Sequence, residues 1–148
     1  MSERYKQTVA VVLLLQRDNK LLFEHRGPKS KIFPSHYSLP GGAVDEGETV
    51  MQAAVREAHE ELGIVIDPAD LSVAHVMHRG KMGADVAPII LFIMQVKKWQ
   101  GEPYIAEVDK AAWVGWCDAG QVPDPAVPHV RSIIECVQKG LPYSEFGW

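Results

Sequence analysis

Residues 42–64 read GAVDEGETVMQAAVREAHEELGI, and this stretch carries most of the information about the fold. It follows the pattern G-x5-E-x7-R-E-U-x-E-E-x-G-U, in which U is an aliphatic residue. The fixed positions are filled by Gly42, Glu48, Arg56, Glu57, Glu60, Glu61 and Gly63, and the aliphatic ones by Ala58 and Ile64. Because each fixed position has a background frequency of roughly 7%, a chance match at a given start has a probability of order 10⁻⁸.

Local features predict a helix over most of this stretch. Thr49, followed three residues later by Gln52, is a capping-box pattern that satisfies backbone N–H groups at a helix start. No Gly or Pro intervenes before Leu62, and Gly63 stands where a helix typically ends in the left-handed conformation. We therefore predict a helix that begins after Thr49 and ends at Leu62.

Three carboxylates lie close together on this predicted helix. Glu57, Glu60 and Glu61 are spaced i, i+3 and i+4, so their like charges destabilise the helix by roughly 0.2–0.5 kcal/mol per pair. A solvated acidic face is the usual meaning of such a cluster. Here a Leu-Pro-Gly-Gly segment at 39–42, which we call the glycine loop, and Arg56 accompany the cluster, and a metal site is favoured. Carboxylate oxygens suit Mg²⁺ or Mn²⁺.

The whole pattern resembles the Nudix box, the signature of enzymes that hydrolyse a nucleoside diphosphate linked to another group. The resemblance extends loosely over most of the chain and implies the Nudix fold, an α/β fold in which a mixed β-sheet is sandwiched between helices. It implies that the metal ligands are Gly42, through its carbonyl oxygen, with Glu57, Glu60 and Glu61. It also implies one more acidic ligand in the loop before the last strand, for which Glu107 is favoured over Asp109.

The resemblance also suggests roles for individual charged residues. Glu57, by its position in the motif, can accept the proton of the attacking water as general base, although members of the family differ in which residue does so. Arg56 is expected to orient the catalytic carboxylates by pairing with Glu48 or with the glutamate cluster. The candidate substrate-binding residues are Arg26, Arg79 and Glu48. Arginines at strand ends could clamp a phosphate, and ordinary surface positions are the alternative.

Composition limits the classes of protein that this chain can represent. Its 148 residues, 47% hydrophobic and 23% charged, fit one domain spanning 1–148. The net charge of −4 argues against a partner that is a nucleic-acid polymer, and no apolar run approaches the ~20 residues of a membrane span. The first residues lack the apolar segment of a signal peptide. We expect a cytoplasmic protein, a monomer or homodimer, whose Cys117 and Cys136 are free thiols.

Hydrophobic patterning predicts the remaining elements. Apolar and β-branched runs predict strands at about 8–15, 20–24, 37–39, 71–78, 89–96 and 112–116. An apolar stripe predicts a last helix at about 127–138. Tyr143, Phe146 and Trp148 form an aromatic tail that should dock on the body of the protein or on a second copy. His75 and His78, three apart in a strand, should point to opposite faces and not bind zinc.

The substrate is constrained by marks that the chain lacks. No proline stands about sixteen residues past the box, where an ADP-ribose hydrolase would have one. A dinucleoside tetraphosphate hydrolase would have a tyrosine in that region, and this chain has none there. Elimination, the compact length and the Gly-x-Pro…Trp stretch from Gly101 to Trp113 favour a small-molecule nucleotide substrate. The favoured substrate is a nucleoside triphosphate or its oxidised form, cleaved to a monophosphate and pyrophosphate. Hydrolysis of dinucleoside polyphosphates or nucleotide sugars remains open. So does a non-catalytic, nucleotide-sensing domain, because fold alone does not establish activity.

Overall fold

Eight strands and two helices form the regular structure of the residues that the computed structural model describes, 3–84 and 86–148. The strands are β1 (Thr8–Arg17), β2 (Lys20–Arg26), β3 (Tyr37–Ser38), β4 (Gly41–Ala43), β5 (Leu71–Arg79), β6 (Ile89–Val96), β7 (Ala111–Asp118) and β8 (Tyr143–Phe146). The helices are α1 (Val50–Leu62) and α2 (Val130–Gln138), and a short 3₁₀ helix spans Pro68–Asp70. Met1, Ser2 and Asp85, which the predicted domain 1–148 includes, lie outside the described residues.

The sheet is mixed, and β1 is the strand that joins its parts. The strand order is β3-β2-β1-β6-β5-β8, with β4 paired to β1 and β7 paired to β2. β1 runs parallel to β6 from the pair Thr8–Ile89 to the pair Leu15–Val96, and antiparallel to β2 and β4. Because β4 pairs with β1 and leads toward α1, the glycine loop is held directly beside the helix that carries the glutamates.

Helices cover both faces of this sheet, as the sequence predicts. Side chains of β1 alternate between two buried clusters, the first on the α1 side and the second on the α2 side. The α1 cluster takes Val11, Leu13 and Leu15, together with Ala54, Ala58 and Leu62 of the helix. The α2 cluster takes Ala10, Val12 and Leu14, together with Val130, Ile133 and Ile134. A strand that is buried on both faces reads as a continuous apolar run, which β1 does.

The predicted bounds of α1 are confirmed. The Thr49 side chain accepts a hydrogen bond from the Gln52 N–H at 3.1 Å, and the Gln52 side chain accepts one from the Thr49 N–H at 2.9 Å. Gly63 ends the helix with φ 66° and ψ 17°, in the left-handed region. These two caps fix where the glutamate-bearing turns begin and end.

Several elements differ from the sequence-based expectation. β4 lies in the predicted glycine loop, β8 lies in the predicted aromatic tail, and the 3₁₀ helix is not expected from the pattern; α2 begins at Val130 instead of at about residue 127, and β1, β2, β5 and β7 extend one or two residues past their predicted bounds. Val127 is used elsewhere, because its N–H donates to the Tyr37 carbonyl at 2.9 Å and so extends the strand pairing of β3. No helix among the described residues is long and apolar enough to cross a membrane.

The aromatic tail docks on the body of the same chain, as one of the two predicted alternatives. β8 pairs in parallel with β5, from Val76–Tyr143 to Arg79–Phe146, and the Trp148 indole N–H donates to the His78 carbonyl at 2.8 Å. His75, which is fully buried, bonds through Nδ1 to the Leu141 carbonyl and through Nε2 to the Ser144 hydroxyl, each at 2.7 Å. Its ring is therefore occupied with holding the chain end.

Candidate active site

The glycine loop and the acidic face of α1 are in direct contact. A Cβ atom added to Gly42 would lie 2.3–2.7 Å from the carboxylate of Glu57, closer than real Cβ atoms approach other atoms. A Cβ at Gly41 would lie 2.1 Å from the Val11 carbonyl oxygen of β1. Both glycines are thus required by close packing, and the loop backbone lies directly against a buried carboxylate.

Glu57, Glu60 and Glu107 form an acidic cluster beside this loop. One carboxylate oxygen from each lies within 4.8 Å of the others. Glu57 is buried, Glu107 is half-buried and Glu60 is exposed, so the cluster opens from the protein interior to solvent. Among the described residues, Glu57 Oε2 and Glu61 Oε1 are buried without a hydrogen-bond partner. A set of hard oxygen donors with unpartnered lone pairs fits a divalent cation such as Mg²⁺ or Mn²⁺.

Arg56 is the hub that holds these carboxylates in place. Its Nε donates to Glu48 Oε2 at 2.7 Å, its Nη2 donates to Glu48 Oε1 at 2.9 Å, and its Nη1 donates to Glu57 at 2.9 Å and Glu60 at 3.1 Å. The Arg56 guanidinium lowers the pKa of Glu48 to about 2, and Glu48 in turn raises the pKa of Arg56. Both partners therefore stay charged over the working pH range.

Glu61 is not part of this cluster, and its carboxylate is buried beside it, against the glycine loop. Its Oε2 accepts a hydrogen bond from the Gly41 N–H at 3.1 Å, and its side chain is 2% exposed. The buried Glu24 carboxyl of β2 lies beside it. Burial raises the pKa of both groups, and the neighbouring Glu24 raises that of Glu61 further. Two of the three box glutamates, Glu57 and Glu60, therefore belong to the cluster with Glu107, and the third, Glu61, is buried beside Glu24.

Lys110 is a cation that lies between Glu57 of the cluster and the buried Glu61. Its Nζ donates to the Gly41 carbonyl at 3.2 Å and lies 3.5 Å from Glu57 Oε2 and 3.8 Å from Glu61 Oε2. Burial lowers the pKa of Lys110, but the negative charges of Glu61, Glu57 and Glu107 outweigh burial, and its pKa lies above the ordinary value. A lysine ammonium in this position offsets part of the negative charge that the glutamates concentrate.

The loop that carries Glu107 and Lys110 is fastened to the end of α1. The Tyr104 N–H donates to the Leu62 carbonyl at 3.1 Å, and the Ala106 N–H donates to the Glu61 carbonyl at 3.1 Å. The Tyr104 ring lies across Gly63, where an added Cβ would come within 2.1 Å of the ring. These contacts use carbonyls that the helix end leaves without internal partners, and they hold Glu107 over the acidic face.

A cavity of about 300 Å³ extends from the glycine loop into the layer between the sheet and α2. Gly41, Gly42 and Lys110 lie at its carboxylate end, and Arg26, Arg79 and His129 provide polar groups within it. Its other walls are mainly apolar and include Ile32, Phe33, Leu39, Ile89, Leu91 and Val127. A mixed lining of this type, apolar with a few polar groups, is characteristic of small-molecule sites.

His129 is kept neutral in this cavity. Burial, together with the positive charges of Arg79 and Arg26, lowers its pKa to about 3. Burial and the nearby Arg26 also lower the pKa of Arg79. The wall formed by these residues is therefore positively charged, and its charge comes from the two arginines.

The structure brings together most of the residues that the sequence singles out. Gly42, Arg56, Glu57, Glu60 and Glu107 meet beside the glycine loop, and Glu61 accepts a hydrogen bond from Gly41 of that loop. The glycine loop, Arg26 and Arg79 line the cavity. Glu48 is set apart, because both of its oxygens bind Arg56 and the Asp45 N–H donates to it at 3.0 Å. It anchors Arg56 in this arrangement and is not among the residues that line the cavity.

Three residues of the site, Glu24, Lys110 and His129, are not predicted from the sequence. Glu24 is the single carboxylate that follows the apolar run Leu21–Phe23, and a charge at the end of a buried strand is the one available hint. Lys110 and His129 belong to segments far along the chain. Only the pairing of β7 with β2 and the packing of α2 on the sheet bring them to the glycine loop.

Comparison with known proteins agrees with this geometry. The model of the NUDIX domain matches residues 4–136, and the chain therefore belongs to this family of hydrolases. An 8-oxo-dGTP diphosphatase from Haemophilus influenzae is 39% identical over 93 residues, 62% of this chain and 65% of that protein, so the match spans just under two thirds of the relative. The phosphatase NudJ of Escherichia coli is 25% identical over 152 residues, 97% of this chain and 95% of that protein.

A solved structure supports the same fold. The MutT NUDIX hydrolase from Burkholderia pseudomallei superposes with a TM-score of 0.79 at 27% sequence identity, and the match covers 88% of this chain and 98% of that one. The α/β sandwich described above is therefore the Nudix fold, and the chain is a Nudix hydrolase.

Proposed function

We propose that this protein is a Mg²⁺- or Mn²⁺-dependent pyrophosphohydrolase that cleaves a nucleoside triphosphate, ordinary or oxidised, to a nucleoside monophosphate and pyrophosphate. The observation that carries the proposal is the cluster of Glu57, Glu60 and Glu107 oxygens within 4.8 Å of one another, beside Gly42, which lines a cavity of about 300 Å³. The match to a relative named for its action on 8-oxo-dGTP supports the same substrate class.

The proposed metal ligands are Glu57, Glu60, Glu61 and Glu107, with the carbonyl oxygen of Gly42. Bound there, a divalent cation would offset the charge of the phosphate oxygens and make water a better nucleophile. The remaining tasks fall to the protein. Arg56 holds Glu57 and Glu60 in fixed positions through hydrogen bonds of 2.9 and 3.1 Å.

Glu57 is the proposed general base. One of its oxygens accepts a hydrogen bond from Arg56, and the other, Oε2, is buried with no hydrogen-bond partner among the described residues. That free oxygen is suited to accept the proton of the attacking water. The water oxygen forms a bond to the α- or β-phosphorus and the phosphorus–oxygen bond that bridges these two atoms breaks. The leaving group, pyrophosphate or the nucleoside monophosphate respectively, takes the electron pair.

Cationic side chains are placed to bind the phosphate chain. Arg26 lies at the end of β2, where its Nη1 donates to the Ile32 carbonyl at 3.2 Å while its Nε has no partner among the described residues. Lys110 lies at the carboxylate end of the same cavity. We assign both to phosphate contact, and we assign Arg79 to contact with the rest of the substrate.

A second candidate activity follows from the relative that matches over 97% of this chain, which is named a phosphatase. The two activities differ in their product, since a phosphatase releases orthophosphate and a pyrophosphohydrolase releases pyrophosphate.

Free thiols at Cys117 and Cys136 suit the reducing cytoplasm, where we place the enzyme. We propose that it acts there as a monomer or homodimer.

The proposed activity is tested by measuring pyrophosphate and orthophosphate release separately from a nucleotide panel, with Mg²⁺, with Mn²⁺ and with a chelator. The panel should hold ordinary and oxidised triphosphates, ADP-ribose, a nucleotide sugar and a dinucleoside polyphosphate. Metal-dependent pyrophosphate release from a triphosphate is expected. Orthophosphate alone would favour the phosphatase, and binding of nucleotides with no turnover of any of them would favour a sensor.

Glu60→Gln tests the acidic cluster directly. We expect kcat to fall at least about 100-fold with Mg²⁺, because one charged ligand is removed from a site that depends on charge. The fold should survive, since the Glu60 side chain is 51% exposed. Glu135→Gln, which removes an exposed helical glutamate (64%) paired with Lys139, is the control. Wild-type turnover by the Glu60→Gln variant would rule out the proposed ligand set.

A further inference from the structure

Glu24 is a buried carboxylate in the cavity wall, and the site described above gives it no role. It lies on β2 directly after the apolar residues 21–23, is 3% exposed, and lines the cavity together with Gly41 and Lys110. Its Oε2 atom is buried without a hydrogen-bond partner among the described residues. Because a buried carboxylate is normally paired with a cation or bound to a metal, this oxygen indicates a place for a ligand.

Glu61 provides a second oxygen of the same kind beside Glu24. Its side chain is 2% exposed, and its Oε2 accepts a hydrogen bond from the Gly41 N–H at 3.1 Å. Its other oxygen, Oε1, is buried with no partner in residues 3–84 and 86–148. Two buried carboxylates, each with an unsatisfied oxygen, therefore lie next to each other against the glycine loop.

The cations of the site do not balance this pair. Lys110 Nζ lies 3.5 Å from Glu57 Oε2 and 3.8 Å from Glu61 Oε2, so its single charge is shared by two carboxylates already. Arg26 forms its hydrogen bonds with the loop that follows β2. In the part of the chain that the structure describes, no lysine or arginine forms an ion pair with Glu24. A further cation is needed if Glu24 and Glu61 are both ionised.

The position of Glu24 in the cavity indicates which cation this is. Arg26 and Lys110, to which we assign phosphate contact, line the same cavity as Glu24. A carboxylate there would repel the phosphate chain unless a cation lay between the two anions. Mg²⁺ and Mn²⁺ suit such a place, because Mg²⁺ is commonly bound by one or two carboxylates together with water and the phosphate oxygens of a substrate.

We propose, on the basis of the function proposed above, that Glu24 is a further metal ligand of this enzyme. Together with Glu61 and the phosphate oxygens of the nucleotide, it holds a second divalent cation on the cavity side of the glycine loop. This inner position is distinct from the cluster formed by Glu57, Glu60 and Glu107. Only two protein carboxylates contribute to it, so the nucleotide completes its ligand set.

Mn²⁺ binding in the presence of a substrate analogue tests this assignment. Electron paramagnetic resonance counts the Mn²⁺ ions bound to protein that is saturated with an α,β-methylene nucleoside triphosphate, in which the bridge between the α- and β-phosphorus atoms cannot be hydrolysed. We expect Glu24→Gln to lower the affinity of the inner position more than about 100-fold, beyond the effect of residues that only orient ligands. At the Mn²⁺ concentration that just saturates the wild type, the variant should bind one ion fewer.

Two further variants make the count specific to the Glu24 carboxylate. Ser38→Ala is the matched control, because Ser38 is the cross-strand partner of Glu24 on β3 and lines the same cavity. Its hydroxyl donates to the Leu39 carbonyl at 3.2 Å, and its removal changes the cavity wall but no charge. Ser38→Ala should bind as many Mn²⁺ ions as the wild type. Glu24→Asp keeps a shorter carboxylate and should bind the same number with lower affinity.

The possible failures can be told apart. Wild-type Mn²⁺ binding by Glu24→Gln, in number and affinity, overturns the assignment, and this holds even if the variant has lost turnover. If the wild type hydrolyses no triphosphate, the proposed function fails, but the Mn²⁺ count with the analogue still decides whether Glu24 is a ligand. If Glu24→Gln does not fold, Glu24→Asp decides, and wild-type affinity in that variant overturns the assignment.

Discussion

At the scale of single residues, Gly42 is fixed by the carboxylate beside it. A substituent on its α-carbon would come within 2.3–2.7 Å of the Glu57 carboxylate, so even a methyl group must displace a residue on which the chemistry depends. The sequence pattern predicts the glycine for close approach of the backbone to a ligand. The structure adds that the backbone already approaches Glu57 to the contact limit.

Gly42→Ala should therefore lower activity more than stability. We expect kcat/KM to fall about 100-fold, the effect of a displacement of about 1 Å at a catalytic group. Thermal unfolding and steady-state kinetics should be measured on the same preparation. Gly120→Ala is the control, because its Cβ would meet only the Asp118 side chain, at 3.3 Å. Equal kinetics of Gly42→Ala and wild type would contradict the packing argument.

His129 gives the protein a pH-dependent stability that originates away from the glutamates. The pKa of His129 in the folded protein is about 3, below the 6.5 of an ordinary histidine, so only the unfolded chain takes up this proton as the pH falls from 7 to 5. Uptake by the unfolded chain destabilises the fold. The resulting loss is about 2 kcal/mol by pH 5.

His129→Gln should remove this part of the pH dependence. Chemical denaturation at pH 7 and pH 5 should show a smaller loss of unfolding free energy in the variant than in the wild type, by about 2 kcal/mol. The carboxylates titrate in both proteins and cancel in the difference. His59→Gln, at an exposed position of α1, should keep the wild-type dependence. Identical pH dependence of His129→Gln and wild type would show that His129 is not buried in its neutral form.

At the scale of elements, α1 owes its start to a local signal. Both hydrogen bonds of the capping box, 3.1 Å and 2.9 Å, join Thr49 and Gln52. Glu48, which anchors Arg56, directly precedes this cap. The start of the helix and the position of the Arg56 hub are therefore set by adjacent residues.

Thr49→Ala should cost about 1 kcal/mol of unfolding free energy, the usual effect of losing an N-cap side chain. Denaturant titration followed by circular dichroism measures it. Thr49→Ser keeps the hydroxyl group and should stay close to the wild type. A Thr49→Ala variant as stable as Thr49→Ser would mean that tertiary packing alone fixes the helix start.

The elements that sequence reasoning predicts well are those whose signals are local. The caps of α1, the apolar runs of β1, β2, β5 and β6, and the glutamate spacing can all be read within one or two turns of chain. β4 and β8 have three and four residues, too few for a periodic pattern. They form because β1 and β5 offer them strand partners, which is information that no local window contains.

The candidate site shows the same division. Gly42, Glu57 and Glu60 are predicted together because they share one motif, whereas Glu24, Lys110 and His129 reach the cavity only through strand pairing and helix packing. Glu61 illustrates the limit within the motif itself. Its spacing places it with the other glutamates, but its position on the helix turns it toward Glu24 and the Gly41 N–H.

At the scale of the whole molecule, the end of the chain completes the sheet. β8 pairs with β5, and the buried His75 of β5 uses both ring nitrogens to bind the Leu141 carbonyl and the Ser144 hydroxyl. β5 also carries Arg79 at its last position. The C-terminal segment thus supports the strand that places Arg79 in the cavity wall.

Ser144→Ala should destabilise the protein by about 1–3 kcal/mol, because it leaves a nitrogen of the fully buried His75 ring unpaired. Urea unfolding monitored by tryptophan fluorescence would measure the change. Tyr143→Phe is the control, since the hydroxyl lost there binds only the exposed Glu145. A loss in Ser144→Ala no larger than that in Tyr143→Phe would mean that water replaces the Ser144 hydroxyl.

The end of α1 packs against the loop that carries Glu107 and Lys110, because the Tyr104 ring lies against Gly63. Because the Tyr104 ring lies where a side chain at position 63 would project, any larger residue there would lift the loop that carries Glu107 and Lys110. Gly63 touches none of the proposed ligand-binding groups, yet it governs how two of them are presented. Because Gly63 also has a φ of 66°, which other residues adopt only with strain, substitutions there should lower stability as well. In a screen that scores folding and turnover separately, the variants at position 63 that still fold should turn over substrate poorly, although the residue lies outside the active site.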